Sequence, residues 1–244
     1  MNFSISLVIL CLNEELGLKS TYDHYKKQLL ELSIDHEIII VNDGSTDQTA
    51  RIAENIKRSD KSVTVLTNDR PKGMGHGYKR GLKKASKDFY MFSGCDSAPS
   101  EQDIKRLIIS AQGNDLVLAY VTNSQIRAPF RQFLSGGFTF LMSAITGLRL
   151  QYYNAMVIAR TSHLRRVNVR SDGYTFCAEF AAKLLKHYDC NYCEVPITIH
   201  FGKKKTKKNF KLGANFFQAF KFFVFLFFDI YFARKKILIK KDKK

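Results

Sequence analysis

The chain has 244 residues, 45% apolar and 25% charged, the balance of a globular protein with length enough for a sizeable core, which excludes a disordered polymer. Its charge is uneven: 39 Lys and Arg face 22 Asp and Glu, a net +17, and residues 203–244 hold 14 of those cations against only Asp229 and Asp242. The tail is therefore +12 and residues 1–202 only +5, so an anionic partner is sought at the tail.

Residues 4–12 read as a first buried strand. The segment lacks the basic start and small-residue cleavage site of a signal peptide. Five cysteines, at 11, 95, 177, 190 and 193, are odd in number and scattered, which argues against a disulfide framework and for a reducing, cytosolic setting. A second strand over 36–41 contains four consecutive β-branched residues, Ile38 to Val41, as suits a strand covered on both faces, and Asn42-Asp43-Gly44 ends it. Ser45-x-x-Gln48 reads as a capping box, with Ile52, Ala53 and Ile56 as the apolar stripe of the helix that follows. Taken alone, Asp43 is equally a turn residue and a ligand group at a strand's carboxyl end.

A strand over 63–67 precedes Lys72-Gly73-Met74-Gly75-His76-Gly77. This run neither follows a strand directly nor has full G-x-G-x-x-G spacing, so a dinucleotide fingerprint is rejected. Strands over 89–93, leading into Gly94-Cys95-Asp96, and over 116–120 continue the alternation with helices that implies an α/β fold with one mostly parallel sheet. Beyond residue 120 the pattern predicts an aromatic-rich helical insertion over 127–147, a strand over 153–159, a helix over 174–187 and a strand over 190–199. Cys190 and Cys193 form a lone CxxC without a second ligand pair, and read as buried strand cysteines.

Three strand ends carry acids: Leu12-Asn13-Glu14-Glu15, Asn42-Asp43 and Gly94-Cys95-Asp96. In a doubly wound sheet such ends line one crevice, where Glu14, Asp43 and Asp96 would meet a common ligand. With Val8 to Glu15, Ile40 to Thr49, and Asn68 to Gly81 leading to Asp96, the chain resembles the family 2 glycosyltransferases of the GT-A fold over residues 4–200. Within them it is most similar in pattern to dolichyl- and polyprenyl-phosphate sugar transferases. The resemblance implies a single Rossmann-like domain over residues 1–202 and an inverting transfer from a nucleoside-diphosphate sugar. It places Leu12, Asn13, Glu14, Asp43, Lys72 and Gly73 at the nucleotide, with Glu14 near the ribose and Asp43 on the base edge. Asp96 matches the last acid of the metal-binding D-x-D, and Glu179 a third acidic site with a catalytic role. Arg127, Arg131, Ser135, Thr206 and Lys207 fall where relatives place groups near the acceptor. Mg²⁺ or Mn²⁺ is the implied cofactor, since a diphosphate leaving group favours a hard divalent cation. The pattern departs at Leu10, Asn42, Gly94 and Gln151; Gly94 leaves Asp96 as the one motif carboxylate, with diphosphate oxygens and waters to complete a metal's shell.

Residues 215–232 are rich in phenylalanine and flanked by lysine runs. They are slightly short for a spanning helix and include Gln218, Lys221 and Asp229. Phe216, Phe220, Phe223, Phe227 and Tyr231 recur at helical spacing, which predicts an interfacial helix on an anionic membrane surface, peripheral on its cytoplasmic face. A helix docked on the domain itself or joining two copies is the bland reading. Nucleic acid is not an expected partner, because the basic run adjoins an aromatic helix rather than a nucleic-acid-binding module. The expected acceptor is membrane-linked, a polyprenyl phosphate in the first reading and a glycan hydroxyl in the second. A non-catalytic nucleotide-sugar-binding or scaffold protein is the third reading.

Overall fold

The computed structural model describes residues 2–95, 99–123, 125, 128–198 and 212–232, the last stretch with side chains from Lys221 onward. In the chain's first half, strands and helices alternate as β1 (Ser4–Cys11), α1 (Leu18–Glu31), β2 (Asp35–Asn42), α2 (Thr49–Ser59), β3 (Val63–Thr67), α3 (Met74–Lys84), β4 (Phe89–Gly94) and α4 (Glu101–Ser110). The second half comprises β5 (Leu116–Val121), α5 (Pro129–Thr146), β6 (Val157–Arg160), α6 (Thr161–Arg166), α7 (Phe176–His187), β7 (Tyr192–Ile197) and α8 (Leu212–Tyr231).

The seven strands form one sheet in the order β3-β2-β1-β4-β6-β5-β7. All neighbours pair in parallel except β6, which runs antiparallel to both β4 and β5. Six strands thus share a direction, and Cys11, Asn42, Thr67, Gly94, Val121 and Ile197 all end at one edge. Alternate side chains supply two cores, as the two-residue period of a strand requires. Leu7, Ile9, Ile38 and Ile40 pack under α1, α2 and α4. Val8, Leu10, Ile39 and Val41 pack against α3, α7 and α8, including Tyr78, Phe180 and Leu226. Covering both faces is what the uninterrupted apolar run of β2 foretells.

The sequence pattern differs from the structure in four places. Of the two expected buried strand cysteines, Cys190 lies before β7 rather than in it, and both it and Cys193 are only half-buried. The strand expected over 153–159 is confined to Val157–Arg160, and the six-residue α6 after it was not foreseen. The capping box is absent: Ser45 Oγ instead accepts from Asn13 N at 3.0 Å, while Asp47 Oδ1 accepts from Thr49 N at 2.9 Å. The amide the box would use, Gln48 N, donates instead to Glu15 Oε2 at 3.1 Å, and Asp47 takes the amide two residues on, the spacing of an Asx turn. The described part of the tail helix is docked on the domain through Phe222, Leu226 and Ile230, the alternative to a helix lying wholly on a membrane, while Phe227 and Tyr231 of the expected interfacial stripe are exposed. The docked face is set by Asp229, whose carboxylate reaches the buried Lys183 and the exposed Arg170 on the domain. No helix among the described residues is long and apolar enough to cross a membrane.

Candidate active site

The crevice lies at the carboxyl edge of the sheet. Its first wall is made by two interlocked loops, 12–17 after β1 and 43–48 after β2. Asn13 takes a positive φ of 54°, a conformation that Asn tolerates, and its Oδ1 accepts from Thr46 N at 2.9 Å. Glu14 N donates to Thr49 Oγ1 at 2.8 Å, and Gln48 N to Glu15 Oε2 at 3.1 Å. Leu12 is 38% exposed at the mouth of this wall. A Cβ on Gly17 would lie 3.4 Å from Glu14 Oε2 and 3.5 Å from the Cys95 carbonyl, so that carboxylate stands beside the end of β4.

Asp43 is 2% exposed, and three donors satisfy its carboxylate. Oδ1 accepts from Asn68 Nδ2 at 2.6 Å and Lys72 N at 2.9 Å; Oδ2 accepts from Gly73 N at 2.9 Å. Asn68 is held in turn by Arg80 through its Oδ1. One carboxylate therefore fixes the whole 68–73 loop. Gly73 makes this geometry possible: its φ is 97°, and a Cβ there would lie 2.5 Å from the Asp172 carbonyl. The Lys72 ammonium pairs with Asp69 at 2.8 Å on the exterior.

A second clamp faces the first. Glu179, in the first turn of α7, is 3% exposed, and its oxygens accept from Arg170 N and Ser171 N, both at 2.9 Å. Lys183 Nζ, one turn on, lies 2.5 Å from the same carboxylate and 2.8 Å from Asp229 of α8, which also pairs with Arg170 at 3.1 Å. Burial alone would raise the acid's pKa, but the Lys183 charge, the Arg170 amide and hydrogen bonds from Lys183 and Ser171 outweigh it, so Glu179 is held ionised, below its ordinary value. The clamped 170–172 loop then closes on α3: Gly75 N donates to the Asp172 carbonyl at 2.8 Å, and Lys79 pairs with Asp172 at 2.6 Å.

Further along the edge, Tyr120, Gln132, Ser135, Thr139, Gln151 and Tyr152 line a pocket of about 290 Å³ between β5, α5 and the loop before β6. Ser135 donates to Tyr152 Oη at 3.3 Å, and Gln151 N donates to Glu194 at 2.7 Å. α5 is turned inside out for a surface helix. Its polar stripe faces this pocket, while Phe130, Phe133, Phe140 and Leu141 are 45–77% exposed. Arg131 is exposed on the same helix.

The structure thus brings Leu12, Asn13, Glu14, Asp43, Lys72 and Gly73 to one end of the crevice, with Ser135 in the pocket beyond it. Glu179 lies behind the wall rather than in the opening. Asp96, Arg127, Thr206 and Lys207 lie outside the described residues. Sequence reasoning missed Asn68, Arg170, Lys183 and Asp229. The four-residue spacing of Glu179 and Lys183, and a lone acid within an aromatic helix, were the only signals of the buried network.

Residues 6–173 match the family model "Glycosyl transferase family 2". The chain is 27% identical over 162 residues to an undecaprenyl-phosphate 4-deoxy-4-formamido-L-arabinose transferase of Proteus mirabilis, an alignment covering 66% of this chain and 49% of the relative. It is also 27% identical over 135 residues to a dolichyl-phosphate beta-glucosyltransferase of Dictyostelium discoideum, covering 51% and 41%. The chain therefore spans about half the length of the curated relatives it matches. Among solved structures, glucosyl-3-phosphoglycerate synthase of Mycobacterium tuberculosis, in complex with Mn²⁺, UDP and phosphoglyceric acid, shares the fold at a TM-score of 0.70 and 20% identity, covering 93% of this chain and 79% of that one. The same enzyme is also known with Mg²⁺ and UDP, at a TM-score of 0.67 and 19% identity, covering 91% of this chain and 79% of that one. With its sheet of the GT-A type and a family model spanning residues 6–173, the chain belongs to glycosyl transferase family 2.

Proposed function

We propose that this chain transfers a sugar, with inversion, from a nucleoside-diphosphate sugar to a polyprenyl phosphate at a membrane surface. The observation that carries the choice of acceptor is the burial of Glu179. A sugar hydroxyl needs a general base, but Glu179 is enclosed by Lys183 and two backbone amides. A phosphate oxygen is already ionised at neutral pH and attacks without such help. The names of the relatives from Proteus and Dictyostelium agree with this acceptor class.

In this reading the 12–17 and 43–48 loops seat the nucleotide, with Glu14 toward the ribose. Asp43 acts chiefly by fixing the Asn68–Gly73 loop beside the base. Asp96 would hold Mg²⁺ or Mn²⁺ together with the diphosphate oxygens; the oxygen donors at this edge, Glu14 and the Cys95 carbonyl, fit a hard cation. Such an ion would neutralise charge on the leaving diphosphate. The acceptor oxygen forms its bond to the anomeric carbon from the opposite face as the bond to the diphosphate breaks, and no protein nucleophile is required. Ser135 and the pocket polar groups would orient the acceptor phosphate, with Arg127, Arg131, Thr206 and Lys207 supplying further donors and positive charge.

The outward aromatic residues of α5 and the exposed Phe225 and Phe228 of α8 lie on packed neighbouring helices, a surface suited to the headgroup region of a bilayer. The lysine-rich tail adds attraction to anionic lipid. The test is a panel of nucleoside-diphosphate sugars with purified chain, Mg²⁺ or Mn²⁺, and either a polyprenyl phosphate or a glycan as acceptor. Lipid-phosphate product that disappears in Asp96→Ala supports the proposal. Transfer only to the glycan, or donor binding without transfer to either, overturns it.

A further inference from the structure

At the opposite edge of the sheet from the crevice, three chain segments meet. Asp115 immediately precedes β5, His163 lies in α6, and Cys190 lies between α7 and β7. One ligand atom from each residue lies within 4.8 Å of the other two, and all three residues are half-buried. We propose that Asp115, His163 and Cys190 form a binding site for a divalent transition-metal ion of the zinc type, separate from the donor crevice.

The spacing fits such an ion. Cys190 Sγ and His163 Nδ1 are 3.5 Å apart. A tetrahedral zinc with bonds of about 2.3 Å to sulfur and about 2.0–2.1 Å to nitrogen separates those atoms by about 3.5 Å. The pair therefore needs little movement to chelate. The carboxylate is already oriented, since Arg160 Nε donates to Asp115 Oδ1 at 2.6 Å and Asn191 N to Oδ2 at 3.2 Å. A carboxylate has about four acceptor positions, so these bonds leave lone pairs for a metal and resemble the outer-shell contacts that orient ligating acids.

The donor chemistry separates this site from the hard-cation chemistry of sugar transfer. A sulfur, nitrogen and oxygen set selects a borderline ion over Mg²⁺. Burial is the main influence holding the His163 imidazole below its ordinary pKa, which keeps it in the neutral, ligating form at pH 7. Burial and the nearby Asp115 and Asp189 charges hold the Cys190 thiol above its ordinary value. Binding would therefore form the metal–sulfur bond as the thiol proton leaves to solvent. Three protein ligands leave a fourth position for water.

The lone CxxC is also explained. Cys190 packs against the core on the α7 side and Cys193 against the core on the α4 side, so the two thiols serve opposite faces and do not share an ion. The partner ligands come from 27 and 75 residues away in the chain, beyond any short motif.

The test uses the full chain, stripped with a chelator and titrated with Co²⁺. The expected result is about one equivalent with a thiolate-to-cobalt charge-transfer band, displaced by Zn²⁺ but not by excess Mg²⁺, with a proton released per ion. Cys190→Ser should abolish the band, His163→Ala should weaken Co²⁺ binding at least tenfold, and Cys193→Ser should change neither. Matching circular dichroism of the metal-free proteins establishes that the variants fold; if Cys190→Ser does not, the band and proton release of the parent chain and the His163→Ala titration decide. No thiolate band in the parent chain, unchanged affinity in His163→Ala, or a band that survives Cys190→Ser or is lost in Cys193→Ser overturns the proposal.

Discussion

Replacing Glu179 by glutamine separates a carboxylate that holds a wall from one that performs chemistry. The amide has the same shape but one acceptor oxygen in place of two, so it cannot satisfy Arg170 N and Ser171 N together. It also removes one of the two carboxylates that pair with the buried Lys183. Breaking a buried ion pair by deleting one partner costs about 3–5 kcal/mol. Hydrogen bonds to charged groups account for about 1.5–3 kcal/mol each, within which the amide losses fall. For a chain of this size, each kcal/mol lowers Tm by about 2–4 °C, so Glu179→Gln should melt on the order of 6–20 °C lower. Thermal unfolding followed by circular dichroism measures this directly. If the variant melts within a degree of the parent and yet transfers no sugar, Glu179 is a reacting group and the structural role argued above is wrong.

Other expectations follow from the same geometry. A Gly75→Ala methyl would lie 2.1 Å from the Ser171 carbonyl, so the 170–172 loop must shift; overpacking of this kind costs about 1–3 kcal/mol, and the donor KM should rise more than kcat falls. Asp43→Asn replaces an acceptor of three hydrogen bonds with a group that must turn an NH₂ toward a donor, and isothermal titration should show donor affinity at least tenfold weaker. Phe133→Ser combined with Phe140→Ser should lower liposome flotation severalfold while Tm stays within a degree or two, because both rings are more than 70% exposed. The depressed pKa of Glu179 contributes stability that is present above its unfolded value of about 4.3 and lost as pH falls through the lower folded value. The acid limb of the parent's stability curve should therefore be steeper than that of Glu179→Gln, as read by urea unfolding from pH 5 down to pH 3.

The fold was legible because β2 and its neighbours advertise two-sided burial through Ile38 to Val41, and the acids at strand ends mark the crevice edge. Asp43 was legible as an acid at a strand's carboxyl end, but the donors it engages were not, since Asn68, Lys72 and Gly73 reach it only after a strand and a turn intervene. β6 was misplaced because four residues between antiparallel partners give little periodicity. The face on which α8 docks was hidden for a different reason: 14 of the 18 residues from 215 to 232 are apolar, ten of them aromatic, so apolar spacing alone does not choose a side. Asp229 chose it, through Lys183 and Arg170, cations supplied by segments remote in sequence. The cysteine, histidine and aspartate cluster stayed hidden because its members belong to three connections rather than one motif.

The antiparallel β6 has a consequence for how the chain reaches this structure. β5 has no direct pairing with β4; it is joined to the rest of the sheet only through β6, which appears some 35 residues later. The β1–β4 half can close on near-neighbour crossovers, whereas β5 and β7 must wait for a strand that follows β5, at the greater loop-closure cost of a longer-range contact. During synthesis, the wall formed by the 12–17 and 43–48 loops would therefore assemble while the pocket beside β5 and α5 is still without a floor. Until residue 160 has emerged, β5 is an apolar strand with an unpaired edge, the point in the chain's history at which aggregation is most readily seeded.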